Sequence, residues 1–203
     1  IMRIFFPAVT IGISYLSSEA EWGLLNMIDL PSWIEIILAI IILDIIIYMQ
    51  HVIFHRVPIL WRFHMVHHTD PEYDMTTGSR FHPIEILLSL GIKTISIMVF
   101  GIPVIAVVLF EIILSSSAMF NHGNIHLPKK LDAVIRWFIV TPDMHRIHHS
   151  QDHIEFNQNF GFFLSCWDRI FRTYQESPSI DHRHMLIGLP EYADPRDIVW
   201  LSG

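Results

Sequence analysis

The sequence predicts an all-α integral membrane protein. Three observations carry that prediction. The 203 residues are 52% hydrophobic and only 16% charged, with a mean hydropathy of +0.42, which is apolar and charge-poor for a water-soluble domain. Uninterrupted apolar runs reach the ~20 residues that a helix needs to cross hydrocarbon. Finally, ten of the 14 histidines fall in clusters spaced three or four residues apart, the spacing that shares a helix face.

The elements follow in chain order. Ile4 to Leu16 is an apolar segment of 13 residues, read as the remnant of a further span. The first residue is Ile rather than Met, which points to a truncated N-terminus, and no complete signal peptide is readable there. Pro31 and Ser32 are start signals for the clearest span, Trp33 to about Ile53. Ile84 to about Phe120 is too long for one helix and is broken at Gly101-Ile102-Pro103, so a helical hairpin with arms of about 17 residues is expected. Further on, Thr141-Pro142-Asp143 has the form of a helix start, with Thr141 as N-cap and Pro142 in the first turn. No repeat, linker or low-complexity tract divides residues 1–203, which read as a single domain.

Charge sets orientation and excludes partners. Of 13 Lys and Arg, all but Arg3 and Lys93 lie within 56–80 and 129–196, which places those stretches on the cytoplasmic side. The connector 17–32 carries Glu19, Glu21 and Asp29 and no basic residue, as the opposite side should. A net charge of -7 argues against nucleic acid as a partner. Cys166 stands alone, so the chain has no internal disulfide and no CxxC metal site.

The histidine clusters are His51/His55, His64/His67/His68, His122/His126 and His145/His148/His149. The pattern HxxHH is thus written twice, "HMVHH" and "HRIHH", 81 residues apart. Each cluster is expected to aim two or three imidazoles at one point. So many cannot be buried cheaply without a shared partner, and imidazole is a common metal ligand. Tetrahedral zinc takes four ligands, so eight to ten clustered histidines suffice for two metals. Haem needs only one or two axial ligands, not adjacent pairs. An all-imidazole pair of irons fits better, although ligand type alone also admits Zn, Cu or Ni.

Two carboxylates and a tyrosine stand near the clusters. Asp44, Tyr48, His51 and His55 have offsets of 0, 4, 7 and 11, which puts them on one stripe of the Trp33 helix. Asp44 is an ionisable group inside an Ile-rich span, where charge is costly and usually functional. With Tyr48 it is a candidate for orienting His51 or lining a path to it; pairing with Lys93 or a buried hydroxyl is the structural alternative. Asp143 is either a second acceptor behind the histidines or a first-turn acid favoured by the helix dipole.

Beyond spacing, HxxxH at His51–His55 and the two HxxHH runs resemble the histidine boxes of the fatty acid hydroxylase superfamily, the sterol desaturase family. "HRVPILWRFHMVHHTD", "TTGSRFHPIE", "FNHGNIHLP", "TPDMHRIHHS" and "NFGFFLSCWDRIFRTY" are similar to it in order and spacing from about Asp44 to Tyr174. The resemblance implies a small transmembrane helical bundle under a cytoplasmic helical cap that holds a dimetal site. It further implies a non-haem di-iron enzyme that uses O2 and external electrons to hydroxylate or desaturate a lipid, with zinc able to substitute in purified protein. The implied ligands are His51, His55, His64, His67, His68, His145, His148 and His149, with His82 and His122 added at positions that commonly carry histidine. His126 matches a position that need not be histidine, and His153, His182 and His184 lie outside the boxes.

Two departures are visible. Val52 follows the first box histidine where many members have Arg. The frequent WDRxFGTY ending reads WDRIFRTY, so Arg172 stands where Gly would tolerate positive φ. Trp167 is expected to be a core aromatic, with Asp168 pairing a base or capping a helix. No GxGxxG or Walker A fingerprint occurs, so a separate electron donor is expected. Rival readings are a membrane metal transporter, for which only Asp44, Lys93 and Glu111 offer intramembrane charge, and a zinc-dependent membrane hydrolase, for which no HExxH occurs.

Overall fold

The computed structural model describes residues 2–192, and among them eight α-helices and no β-strand occur. They are α1 (Met2–Glu19), α2 (Ser32–Arg56), α3 (Pro58–His68), α4 (Pro83–Phe100), α5 (Val104–Asn121), α6 (Lys129–Ile135), α7 (Pro142–His148) and α8 (Cys166–Ile170). The predicted span and both hairpin arms are present, each slightly longer than expected. Three helices, α2, α4 and α5, are long and apolar enough to cross a membrane. Many of their large apolar side chains face outward, among them Ile37, Ile53, Leu87, Ile95, Ile105 and Ile112. That pattern suits a lipid surround and not water. The protein is an integral membrane protein.

The chain divides into two compact units, residues 1–47 with 86–115 and residues 48–85 with 116–203. In the first, α1 contributes buried hydroxyls to its neighbours. Ser14 Oγ donates to the Ile102 carbonyl at 2.6 Å, and Thr10 Oγ1 donates to Glu111 Oε1 at 3.2 Å. Lys93 Nζ of α4 meets the same Glu111 oxygen of α5 at 2.6 Å. A lone charge at this depth would cost several kcal/mol; as a pair the two offset each other and tie the hairpin arms together. Two of the three intramembrane ionisable residues are thereby committed to each other. Gly101 ends α4 at φ +66, where a side chain would strike the Trp22 carbonyl.

The second unit is built from the last turns of α2, from α3, and from the short helices after α5. Its core mixes apolar residues (Phe54, Val66, Tyr73, Val140, Met144, Ile147, Phe160) with buried histidines. As the sequence predicts, Thr141 caps α7, its Oγ1 accepting the Met144 amide, with Pro142 in the first turn. Helix α8 ends in a Schellman motif. The Thr173 amide reaches the Asp168 carbonyl at 2.7 Å, the Arg172 amide reaches the Arg169 carbonyl at 3.4 Å, and Arg172 adopts φ +61. The left-handed turn is therefore kept, with arginine at the position glycine would favour.

Candidate metal centre

The second unit gathers nine buried histidines into two groups. His51, His55, His64, His68 and His148 form one, and His67, His122, His145 and His149 the other; within each, one ring nitrogen per residue lies within 4.8 Å of all the others. The grouping corrects the expectation that each cluster aims at one point. In HxxHH the first and last histidines are four apart, about 40° around a helix, while the adjacent pair is about 100° apart. Accordingly His64 and His68 serve the first group and His67 the second, whereas His145 and His149 serve the second and His148 the first. Each HxxHH run feeds both groups, in opposite proportion, while His51 and His55 both serve the first.

What the ring nitrogens do follows from their partners. A carbonyl or carboxylate only accepts, so a nitrogen facing one carries the proton. His51 Nδ1 donates to the Phe160 carbonyl at 2.8 Å, His67 Nδ1 to Thr77 at 3.1 Å, His122 Nδ1 to Ala118 at 2.7 Å and His148 Nδ1 to Gln158 at 2.9 Å. His64 Nδ1 donates to Glu85 Oε1 at 2.7 Å. In each of these rings Nε2 is left with a bare lone pair. Yet His51 and His64 bring their Nε2 atoms to 3.1 Å, and so do His67 and His122. His145 Nε2 lies 3.1 Å and His149 Nε2 3.2 Å from that of His122. His148 Nε2 is buried with no hydrogen-bond partner.

Lone pairs facing each other at that distance repel unless a cation lies among them. Imidazole binds zinc at about 2.0–2.1 Å, which puts two ligands of one ion roughly 3.0–3.4 Å apart. The observed separations fit. Protons are a poor substitute: burial, followed by the mutual repulsion of neighbouring imidazoles, holds His67, His68, His145 and His149 well below the ordinary histidine value. Burial pushes His122 down to about 4 and His148 to about 3. The nine buried rings form a water-excluded donor set that could hold metal ions.

The family model for fatty acid hydroxylases matches residues 36–173, a stretch that contains all nine histidines. The chain belongs to the fatty acid hydroxylase family. Among curated proteins it is 28% identical to ornithine lipid hydroxylase OlsE of Rhizobium tropici over 149 residues, covering 73% of this chain and 44% of the relative. It is 25% identical to human alkylglycerol monooxygenase over 179 residues (85% and 37%) and 23% identical to human cholesterol 25-hydroxylase over 143 residues (68% and 50%). The chain thus spans half or less of the length of these relatives. No solved structure matches it.

The chain does not bring every expected residue to the cluster. His82 caps α4 instead: its Nδ1 accepts the Ile84 amide at 3.1 Å, and its ring lies against Phe63. His126 is exposed and pairs with Asp143 at 2.7 Å, and Asp143 also faces Arg146 of its own helix. Tyr48 bonds Thr173 at 2.7 Å and stacks on Phe171, so it braces the turn after α8. Asp44 is buried in the first unit. Trp167 is half-buried rather than a full core residue.

Sequence reasoning missed the residues that hold the rings. "TTGSRFHPIE" drew attention for His82, but its contribution is the Thr77 carbonyl to His67, Phe81 stacked on His67 at 4.5 Å, and Glu85 on His64. Gly78 is also required there, because a Cβ would sit 2.8 Å from the Ala118 carbonyl and 3.0 Å from His122 Nδ1. In "NFGFFLSCWDRIFRTY" Asp168 neither pairs a base nor caps a helix. It accepts the amides of Phe160 (2.8 Å) and Gly161 (2.9 Å) and the Thr173 hydroxyl (2.7 Å). That fixes the segment whose carbonyls take His51 and His148. Burial pushes Asp168 up to about 6, leaving it ionised at neutral pH, as an acceptor of three donors should be.

Proposed function

We propose that this chain holds one iron in each histidine group and hydroxylates a membrane-dissolved lipid, using O2 and electrons from a separate donor. The observation that carries the reading is the pair of buried groups whose Nε2 lone pairs face one another while their Nδ1 protons are committed outward. The ligands are His51, His55, His64, His68 and His148 for one ion and His67, His122, His145 and His149 for the other. Iron is the metal implied by family membership, and zinc can take its place in purified protein. The chemistry two irons supply is cleavage of an unactivated C–H bond, with the balance lipid-H + O2 + two electrons + two protons giving lipid-OH + water.

The chain's own residues position, insulate and exclude. Backbone carbonyls of Phe160, Thr77, Ala118 and Gln158 fix ring tautomers, and Glu85 adds one negative charge behind His64. Burial keeps water away from the metals. The relatives' names favour hydroxylation over desaturation and a lipid as the substrate class. The positive-inside distribution supports a metal site on the cytoplasmic side. Commitment of Lys93 to Glu111 takes up two of the three intramembrane ionisable residues that a transporter would need for an ion path.

The test is purification in nanodiscs, metal analysis, and mass spectrometry of lipid extracts after incubation with O2 and reductant. The expected result is two irons per chain and a lipid that gains one oxygen atom from labelled O2. A single zinc with no O2 consumption would overturn the proposal.

A further inference from the structure

Helix α6 is built inside out. Beyond the lysines that begin it, its polar groups are buried: Asp132 is 7% and Arg136, the residue that caps its C-terminal end, 8% exposed, the two form an ion pair, and Arg136 Nη1 donates to the Glu176 carbonyl at 2.7 Å. Its apolar residues, with those that follow, face outward: Leu131 is 48%, Val134 59%, Trp137 65% and Phe138 68% exposed. Leu131 and Val134 are three apart on one face of α6, and with Trp137 and Phe138, exposed in the turn that follows the helix, they make an apolar ridge. A water-facing helix carries the opposite pattern, so something apolar covers this one.

We propose that the ridge from Leu131 to Phe138 lies in the bilayer interface, as an in-plane anchor that contacts lipid of the membrane the protein spans. Three observations select lipid over a second protein. First, continuity: α5 is 18 residues long and membrane-spanning in character, and the eight residue-to-residue steps from Asn121 to Lys129 reach at most about 29 Å. Second, charge: Lys129 and Lys130 stand exposed beside the ridge in a chain of net charge -7, placed to meet anionic headgroups. Third, the ridge carries an exposed tryptophan, and the Arg169 guanidinium lies 4.7 Å from the Trp137 ring and 4.0 Å from that of Tyr174. Aromatic and cationic groups side by side are what the headgroup level accommodates.

The anchor has a consequence for the site, because α7, which carries His145 and His148 and is capped by His149, begins four residues after Phe138. Holding α6 against lipid fixes the approach of that helix to the surface from which a lipid would enter. The inference needs only a membrane-embedded chain, so it stands or falls separately from metal identity and activity.

The test uses the full chain in a Cys166→Ser background, one copy per nanodisc of phosphatidylcholine with phosphatidylglycerol, spin-labelled at Val134→Cys, Phe138→Cys or Lys130→Cys. Unchanged helical circular dichroism confirms that each labelled protein is folded. Labels at 134 and 138 should be relaxed several-fold more by O2 than by a water-soluble nickel chelate, and the label at 130 should show the reverse. Adding phosphatidylglycerol should deepen the first two, and Lys129→Gln with Lys130→Gln should abolish that dependence. Equal access of the chelate to all three positions would overturn the proposal. So would shielding of 134 and 138 that arises only with two copies per disc, which would assign the ridge to a second copy. A depth insensitive to phosphatidylglycerol would remove the charge contribution.

Discussion

Within the two groups His64 differs from the other histidines whose Nδ1 partner is visible: a carboxylate, Glu85, stands behind it instead of a carbonyl. A negative partner raises the basicity of the ligand nitrogen and locks the ring, and loss of such partners typically costs 10–100-fold in metal affinity. Glu85→Ala is therefore expected to weaken metal binding by about 10–100-fold in a chelator competition. Glu85→Gln, which still accepts the Nδ1 proton, should lose less. Equal losses would mean that the charge does not matter. At Arg172 the backbone sits at φ +61 in a Schellman turn. Left-handed geometry costs a non-glycine residue roughly 1–2 kcal/mol, partly offset by the greater freedom glycine has when unfolded. Arg172→Gly should consequently raise the thermal midpoint in detergent by about 2–4 °C; a lower midpoint would show that the arginine side chain contributes more than the turn costs.

Among the elements, the short segments 77–85 and 158–173 decide the site as much as the helices that carry histidine. Their role was only half legible. Helix spacing made the ligand clusters visible, but the division of each HxxHH run between two groups depends on the 100° step between neighbours and on where the opposite helix lies. The carbonyls that fix the rings carry no side-chain signature at all, and Glu85 looks in sequence like an ordinary first-turn acid. His82 misled for the complementary reason: next to Pro83 its local cap to the Ile84 amide wins over a distant ligand role. Gly78→Ala should displace His122, lowering metal per chain while leaving the helical circular dichroism unchanged. Asp168→Asn turns an acceptor of three donors into a group with its own N–H donors, and a stability loss of about 1–3 kcal/mol is expected from denaturant titration.

On the scale of the whole molecule, the membrane class and three spanning helices were plain in composition and run length, because hydrocarbon thickness imposes helix length directly. The outward ridge of α6 was not, since a seven-residue helix that begins with Lys129 and Lys130 reads as an ordinary surface element until burial shows which face is turned in. Burying so many neutral histidines also makes the metal-free fold acid-sensitive. Their folded values are depressed, to about 4 for His122 and about 3 for His148, so below pH 6.5 the unfolded chain binds more protons and stability falls with pH. Metal-free protein should hold a constant unfolding midpoint above about pH 7 and lose it steadily from about 6.5 to 4, near 1.4 kcal/mol per unit for each such histidine. A flat profile would mean that the rings are not buried neutral. The account turns most on two metals bound by two interleaved histidine groups, and the most direct measurement is metal per chain in the intact protein beside His148→Ala and His145→Ala. Two irons are expected in the intact protein, with each variant emptying mainly its own group and leaving about one; a single ion per chain, or two ions in all three proteins, would contradict it.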